Sequence, residues 1–120
     1  MNYQHQQLAS GRWAEMPFFE QMANIGSEVE RAMKWKGKGN QEYSHMAFNR
    51  ALELLDLAIS DIKNKNRLKE LTRLRETLAD YFEFKNEYNS TDKSWSNYFY
   101  SFNYASRLGS WKNPTPISRG

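Results

Sequence analysis

Apolar residues recur at intervals of three and four along most of the chain, and this spacing constrains the fold more than any other feature. Such spacing places apolar side chains on one face of an α-helix, whereas a strand would alternate at every second residue. Between residues 17 and 36 the stripe comprises Phe18, Met22, Ile25, Val29 and Ala32. The core face predicted for the second helix comprises Phe48, Ala51, Leu52, Leu55, Ala58, Ile59 and Ile62. The pattern predicts four helices, at residues 17–36, 41–63, 67–85 and 92–108.

Residues that start and stop helices lie at the ends of these segments. Pro17 suits a first helical position, and Gly37 and Gly109 suit helix ends. The fourth helix can be capped by Ser90, Thr91 or Asp92. Connections of a few residues join helices that run in opposite directions. The sequence therefore predicts an all-α fold: a single up-down-up-down antiparallel four-helix bundle over residues 1–120, with a polar N-terminal leader and a proline-containing C-terminal tail.

The composition argues against several classes of protein. Cysteine is absent, so the chain has neither disulfides nor thiolate metal ligands, which fits a reducing compartment. Residues 1–11 lack the apolar segment of a signal peptide, and no run approaches the roughly 20 apolar residues that span a bilayer. We therefore expect a cytoplasmic protein that does not enter a membrane.

Basic residues are concentrated in one short stretch, although the formal net charge is only +3. Six of them fall in the second predicted connection and the start of the third helix: Lys63, Lys65, Arg67, Lys69, Arg73 and Arg75. In an antiparallel bundle Arg12, Arg107 and Lys112 lie at the same end, which predicts a basic pole. Such a pole could neutralise the phosphates of RNA or DNA, with Trp13 and Trp111 stacking on bases. Alternatively, these cations only solvate a connection.

Some apolar residues fall outside the predicted core faces. At about 100° per residue, Tyr100 and Tyr104 point away from the apolar face of the fourth helix, and Met46 and Leu57 fall within the polar arc of the second. We interpret these four residues as a second buried surface, which predicts a homo-oligomer. Alternatively, they are isolated exposed residues, which are common in monomers.

The sequence predicts no catalytic residues, metal site or cofactor. A di-metal site in a bundle needs two Glu-x-x-His motifs, and only Glu42 and His45 have that spacing. There is no cysteine nucleophile, no Gly-rich phosphate loop and no evident site for a small-molecule substrate. Carboxylates near the core edges could act as paired acid and base groups, but we expect them to be solvated or to form ion pairs with arginines. The carboxylates are Glu28, Glu53, Asp56 and Asp80, and the arginines are Arg31, Arg50 and Arg75. We therefore expect a protein that is not an enzyme.

Two short stretches carry a family resemblance, Asn24-Ile25-Gly26-Ser27-Glu28 in the first predicted helix and Ala51-Leu52-Glu53-Leu54-Leu55 in the second. With its length and helix order, the chain resembles the four-helix proteins of the large-subunit rRNA intervening-sequence family and the related accessory variability proteins of diversity-generating retroelements. The resemblance implies an oligomeric, ring-like basic bundle that binds nucleic acid or a reverse transcriptase without catalytic residues. The chain departs from that pattern in its modest net charge and its aromatic fourth helix.

These observations favour a non-enzymatic, homo-oligomeric scaffold or adaptor that presents its basic pole to RNA, DNA or a nucleic-acid enzyme. The alternative is a protein-interaction module that docks through its aromatic fourth helix and does not bind nucleic acid. An enzyme with carboxylate chemistry in the bundle is a third hypothesis.

Overall fold

The computed structural model describes the backbone of residues 11–112 and the side chains of residues 11–108. Within these ranges the chain is helical and contains no strand, which confirms the predicted all-α class. The elements are α1 (Trp13–Glu15), α2 (Phe18–Gly37), α3 (Gln41–Ser60), a 3₁₀ helix (Ile62–Arg67), α4 (Leu68–Glu83) and α5 (Asp92–Lys112).

Polar side chains define where two of the long helices begin. The Asn40 side-chain oxygen accepts a hydrogen bond from the Tyr43 backbone N–H at 3.0 Å and caps α3. Thr91 and Ser94 cap α5 reciprocally, because each side-chain oxygen accepts a hydrogen bond from the other residue's backbone N–H, at 3.0 and 2.9 Å. Pro17 precedes α2 instead of occupying its first turn.

Two of the predicted helix ends are wrong. The second predicted helix continues to residue 63, whereas α3 ends at Ser60 because Asp61 adopts an extended conformation and starts the 3₁₀ helix. The fourth was expected to stop at Gly109, but α5 continues to Lys112. A glycine permits a helix to end and does not force it to, since its cost inside a helix is only about 1 kcal/mol.

Contacts between α2 and its two neighbours show that both neighbours run antiparallel to it. The Ser44 hydroxyl of α3 donates to the Ala32 carbonyl oxygen at 2.8 Å, and the side chains of Arg50 and Glu28 meet further along the same pair. On the other side, Ser96 of α5 donates to Glu30 at 2.7 Å. The rings of Phe18 and Phe102 then meet near the opposite end of the pair.

Helix α4 lies against α3 and is linked to α5 by polar side chains. Arg75 of α4 bonds Asp56 of α3, and the rings of Phe82 and Phe48 lie 5.1 Å apart at the other end of that pair. The hydroxyl of Tyr98 in α5 donates to Glu70 of α4 at 3.1 Å, and Tyr81 of α4 donates to Asp92 of α5. These contacts also join antiparallel helices.

The core receives buried apolar side chains from all four long helices. Its fully buried members include Met22, Ile25, Phe48, Leu54, Leu55, Leu71, Leu78 and Phe99. The predicted core face of the second helix needs two corrections: Leu54 is buried although it was assigned to no core face, whereas Ile62 is 83% exposed. Ile62 is exposed because α3 ends before it, so the helical periodicity that placed it on the core face no longer applies.

Helices α2 and α5 approach closely at Gly26. A Cβ atom built on this glycine would lie 2.8 Å from ring atoms of Phe99, well inside van der Waals contact. Phe99 is fully buried and its contacting atoms are those nearest the backbone, so the ring has little freedom to move away. The absence of a side chain at residue 26 therefore sets the spacing of this helix pair.

Candidate functional site

The connection between α3 and α4 is held in place by a buried polar network. The side-chain amide of Asn64 is buried and donates to the side-chain oxygen of Gln21 at 2.8 Å and to the Ala58 carbonyl at 2.9 Å. Gln21, also buried, donates to the Trp13 carbonyl and to Asp61, both at 2.9 Å. Since buried amides need partners, the connection is fixed against α2 and α1.

Asp61 and Lys63 form the solvent-facing edge of this network. A carboxylate oxygen of Asp61 accepts from the Lys63 backbone N–H at 3.1 Å, and the Lys63 ammonium bonds the same carboxylate and the Ala14 carbonyl oxygen. Burial acts to raise the pKa of Asp61, but the hydrogen bonds from Lys63 and Gln21 outweigh it, so the pKa lies below its ordinary value. Lys63 thus has a structural role.

We expect the Asp61→Asn variant to be less stable than wild type at neutral pH but not in acid. Because the folded pKa is lowered, the ionised carboxylate contributes stability above its unfolded pKa of 3.8, and this contribution is lost as pH falls through the folded value. Near neutral pH the free energy of unfolding, measured in urea, should be about 1 kcal/mol lower for the variant than for wild type. The difference from wild type should disappear in acid. Glu15→Gln, at an exposed residue of α1, is the control. If the free energy of unfolding depends on pH in the same way for wild type and Asp61→Asn, the Asp61 carboxylate does not have this stabilising role.

Four of the six basic residues predicted to bind nucleic acid line one open groove. The groove runs over the 3₁₀ helix and the first turns of α4, and we call it the basic groove; its lining residues are Lys63, Asn66, Arg67, Lys69, Glu70 and Arg73. Asn66 and Glu70 were not predicted, because the density of basic residues does not indicate a neutral or an acidic lining residue. The spacing of residues 66, 70 and 73 at four and three would have indicated a shared helical side.

Arg67 is partly engaged within the groove. Its guanidinium carbon lies 4.2 Å from the centroid of the Phe18 ring, and its Nη1 lies 3.6 Å from Glu70 Oε1. Glu70 also accepts the hydroxyl hydrogen bond of Tyr98. Burial, and then the Glu70 carboxylate, raise the pKa of Tyr98, so this hydroxyl stays protonated and keeps donating. The Arg67 guanidinium is therefore held over the Phe18 ring.

Of the six basic residues predicted to bind nucleic acid, Lys65, Lys69 and Arg73 are the most available to a ligand. All three are exposed, and none of their side chains forms an ion pair or hydrogen bond with another residue in the part of the chain that the structure describes. Lys69 and Arg73 line the basic groove, whereas Lys65 projects from the 3₁₀ helix beside it. An unpaired cation does not have to break a protein contact before it meets a phosphate.

Arg75 is committed elsewhere. Its Nε donates to Asp56 Oδ1 at 2.8 Å, which confirms the prediction that this arginine meets a carboxylate. The hydrogen bond with Asp56 raises the pKa of Arg75 above its ordinary value, against the opposing effect of burial. The pair joins α4 to α3, and Arg75 does not line the basic groove.

One of the two aromatic residues predicted to stack on bases is buried. Trp13 is only 3% exposed and belongs to the core, so its predicted stacking role is wrong. It is buried because α1 folds back over the network around Gln21. The side chains of Trp111 and Lys112 lie outside the described residues. Arg12 and Arg107 are exposed, as a basic pole requires.

Only two of the four predicted interface residues lie together. Tyr100 and Tyr104 are exposed on α5, and their rings stack with centroids 6.3 Å apart. Met46 is exposed on α3, whereas Leu57 is partly buried and packs against the core, so its assignment to a second surface is wrong. Leu57 faces the core because the buried side of α3 is wider than predicted and includes Leu54. Of the four predicted interface residues, only the tyrosine pair of α5 therefore forms a shared exposed surface.

Several carboxylates considered for chemistry have structural partners. Glu28 lies 2.9 Å from Arg31 and 3.3 Å from Arg50, as predicted. Among the described residues Asp80 has no ion-pair partner, and it accepts hydrogen bonds from the backbone N–H groups of Glu87 and Tyr88, at 2.8 and 3.0 Å. Across residues 11–108 no three His, Cys, Asp or Glu side chains are grouped so that they could hold a metal ion.

Comparison with known proteins returned no matching family model, no similar curated protein and no similar solved structure. None of the helices in the described part of the chain is long and apolar enough to cross a membrane.

Proposed function

We propose that this protein is a non-enzymatic helical adaptor whose basic groove binds the phosphate backbone of RNA or DNA. The nucleic acid is either free or bound to a nucleic-acid enzyme. The observation that carries the proposal is the group of Lys65, Lys69 and Arg73, three exposed and unpaired cations beside a groove whose backbone is fixed by buried hydrogen bonds. The family resemblance of the first two long helices points to the same class of ligand.

The groove is suited to phosphates and not to reading a base sequence. Lysine ammonium groups act as point charges that suit phosphate oxygens. The aromatic ring beside the groove, Phe18, is already covered by the Arg67 guanidinium, so a base would have to displace it in order to stack. We therefore expect binding with little sequence preference and strong dependence on salt.

The deciding experiment is fluorescence anisotropy of labelled single-stranded RNA and duplex DNA, titrated with the protein across a salt series. Three to four phosphate contacts predict that the logarithm of the binding constant falls against the logarithm of salt with a slope of about −2 to −3.5. Weak binding whose strength does not change with salt would reject the proposal, and would assign the same cations to solvation of the connection.

The proposal includes the arrangement of the helices. We propose that the antiparallel pairs close into a single up-down-up-down four-helix bundle in the cytoplasm, so that the α3–α4 connection and the C-terminal part of α5 lie at one pole. This arrangement would place Arg12 and Arg107 beside the basic groove and extend its positive potential.

A second candidate function rests on the stacked tyrosine pair of α5. Two exposed aromatic rings in register form a surface that suits a protein partner or a second copy of the chain. The adaptor could use this surface to form a homo-oligomer while the basic groove remains on a different helix.

We expect Tyr100→Ser/Tyr104→Ser to weaken association through α5 by about tenfold or more, because it removes both aromatic rings. Sedimentation at about 0.5 M salt isolates this apolar association from charge-driven contacts. Tyr43→Ser, at an exposed tyrosine of α3, provides the matched control. A wild-type protein that remains a 14.2 kDa monomer under these conditions would reject the surface as a self-interface.

A further inference from the structure

The outward side of α4 carries a stripe of charge that is divided by sign. Lys69, Arg73, Glu76 and Asp80 follow each other at intervals of four, three and four, so they share one side of the helix. The buried side chains of α4 are Leu71, Leu74 and Leu78 on the opposite side, together with Asp80. The stripe is thus basic toward the start of α4 and acidic toward its end.

The acidic end is completed by the loop that follows α4. Asp80 holds the backbone of Glu87 and Tyr88, and the Tyr88 hydroxyl donates to Glu76 at 3.2 Å. The resulting hollow contains three carboxylates, from Glu76, Asp80 and Glu87, against a single cation, Lys85. Two of its aromatic side chains are exposed, Phe84 by 72% and Tyr88 by 56%. We call this surface the acidic hollow.

This distribution of charge opposes the dipole of its own helix. Anions are stabilised near a helix N-terminus and cations near its C-terminus. Lys65 and Arg67 directly precede α4 in the 3₁₀ helix, and the first turn of α4 contains Lys69 beside the acidic Glu70. Its last turn contains Asp80 and Glu83 with no basic residue. The helix dipole therefore gains nothing from the arrangement, and Lys69 and Arg73 form no ion pair within the described residues, which favours an explanation outside the monomer.

We infer that the outward side of α4 pairs antiparallel with the same surface of a second copy of this chain. Reversing one copy sets the basic groove of each against the acidic hollow of the other, with Arg73 opposite the partner's Glu76 at the two-fold axis. A two-fold axis requires self-complementarity, and a stripe that is basic at one end and acidic at the other provides it. The exposed rings of Phe84 and Tyr88 give the contact apolar area.

Pairing through α4 would close the basic groove. Self-association and nucleic-acid binding would then compete for Lys69 and Arg73. This consequence rests on the proposed function, whereas the self-association itself does not.

Two charge-reversed variants test the pairing by complementation. Lys69→Glu/Arg73→Glu makes the stripe acidic throughout, and Glu76→Lys/Glu87→Lys makes the stripe and the acidic hollow basic except at the buried Asp80. Each variant alone should dimerise at least tenfold more weakly than wild type in sedimentation at about 50 mM salt. Their equimolar mixture should form a heterodimer of twice the monomer mass, which dissociates at about 0.5 M salt. Circular dichroism establishes that each variant remains helical.

Other outcomes would overturn the inference. It fails if wild type stays monomeric at low salt up to about 100 μM, if the folded variants do not associate when mixed, or if Tyr100→Ser/Tyr104→Ser abolishes the salt-sensitive dimer. RNA binding by the Glu76→Lys/Glu87→Lys variant tests the proposed function separately, because Lys65, Lys69 and Arg73 are intact in it. A heterodimer without RNA binding by any variant would retain the pairing and reject the function.

Discussion

Reversing the charge of Lys69 and Arg73 should lower the affinity for RNA and duplex DNA by about 100-fold or more at moderate salt. Each substitution removes a phosphate contact and adds a repulsive carboxylate in the basic groove. With two contacts removed, the slope of log affinity against log salt should decrease by about 1.4 on single strands and 1.8 on duplex DNA. Anisotropy titrations of Lys69→Glu/Arg73→Glu across the salt series measure both quantities.

The control for this variant changes the net charge equally at the other end of the molecule. Lys34 and Lys93 are exposed near the end of α2 and the start of α5, so Lys34→Glu/Lys93→Glu removes four charge units from the same total of +3. We expect it to retain most of the affinity and the wild-type slope. If both variants lose affinity equally, binding depends on net charge and the basic groove is not a site.

Replacing Gly26 by alanine should destabilise the protein by up to about 2 kcal/mol, although alanine favours a helix. The new Cβ would lie 2.8 Å from the ring of Phe99, and overpacking of this kind typically costs about 1–3 kcal/mol. The gain in helix propensity of about 1 kcal/mol offsets only part of that cost. Urea unfolding followed by circular dichroism measures the net effect.

Two further variants separate steric conflict from helix propensity. Ser27→Ala, at the exposed neighbouring residue, should change stability by less than about 0.5 kcal/mol. Combining Gly26→Ala with Phe99→Leu should cost less than the sum of the two single substitutions, because the smaller side chain accommodates the added methyl group. A Gly26→Ala variant that is more stable than wild type would show that α2 and α5 separate readily.

The helices were predictable because each buries one face and the apolar spacing reports that face directly. The error at Ile62 arose because Asp61 interrupts the helical periodicity, and it can do so only while Gln21 and Lys63 satisfy its carboxylate. Gln21 lies forty residues away in the sequence, so no local pattern reveals the contact. The short connection was therefore predicted as an extension of α3.

The candidate site was predictable in its location but not in its composition. The density of lysine and arginine identified the connection, whereas the roles of individual cations depend on partners from other helices. Arg75 is paired because Asp56 of α3 lies beside it, and Lys63 because α1 presents the Ala14 carbonyl. Trp13 illustrates the same limit, since a polar flanking sequence did not indicate that its ring would be buried.

The 3₁₀ helix between α3 and α4 has a consequence for the entropy of binding. Ordering a flexible backbone costs about 1–2 kcal/mol per residue, and a ligand that captures a loose basic loop must supply that free energy. Here the buried side chain of Asn64 has already fixed the segment from Ile62 to Arg67 during folding. The free energy of contacts between the cations of this segment and a ligand can therefore contribute to affinity almost in full. This would compensate for the modest net charge of the chain.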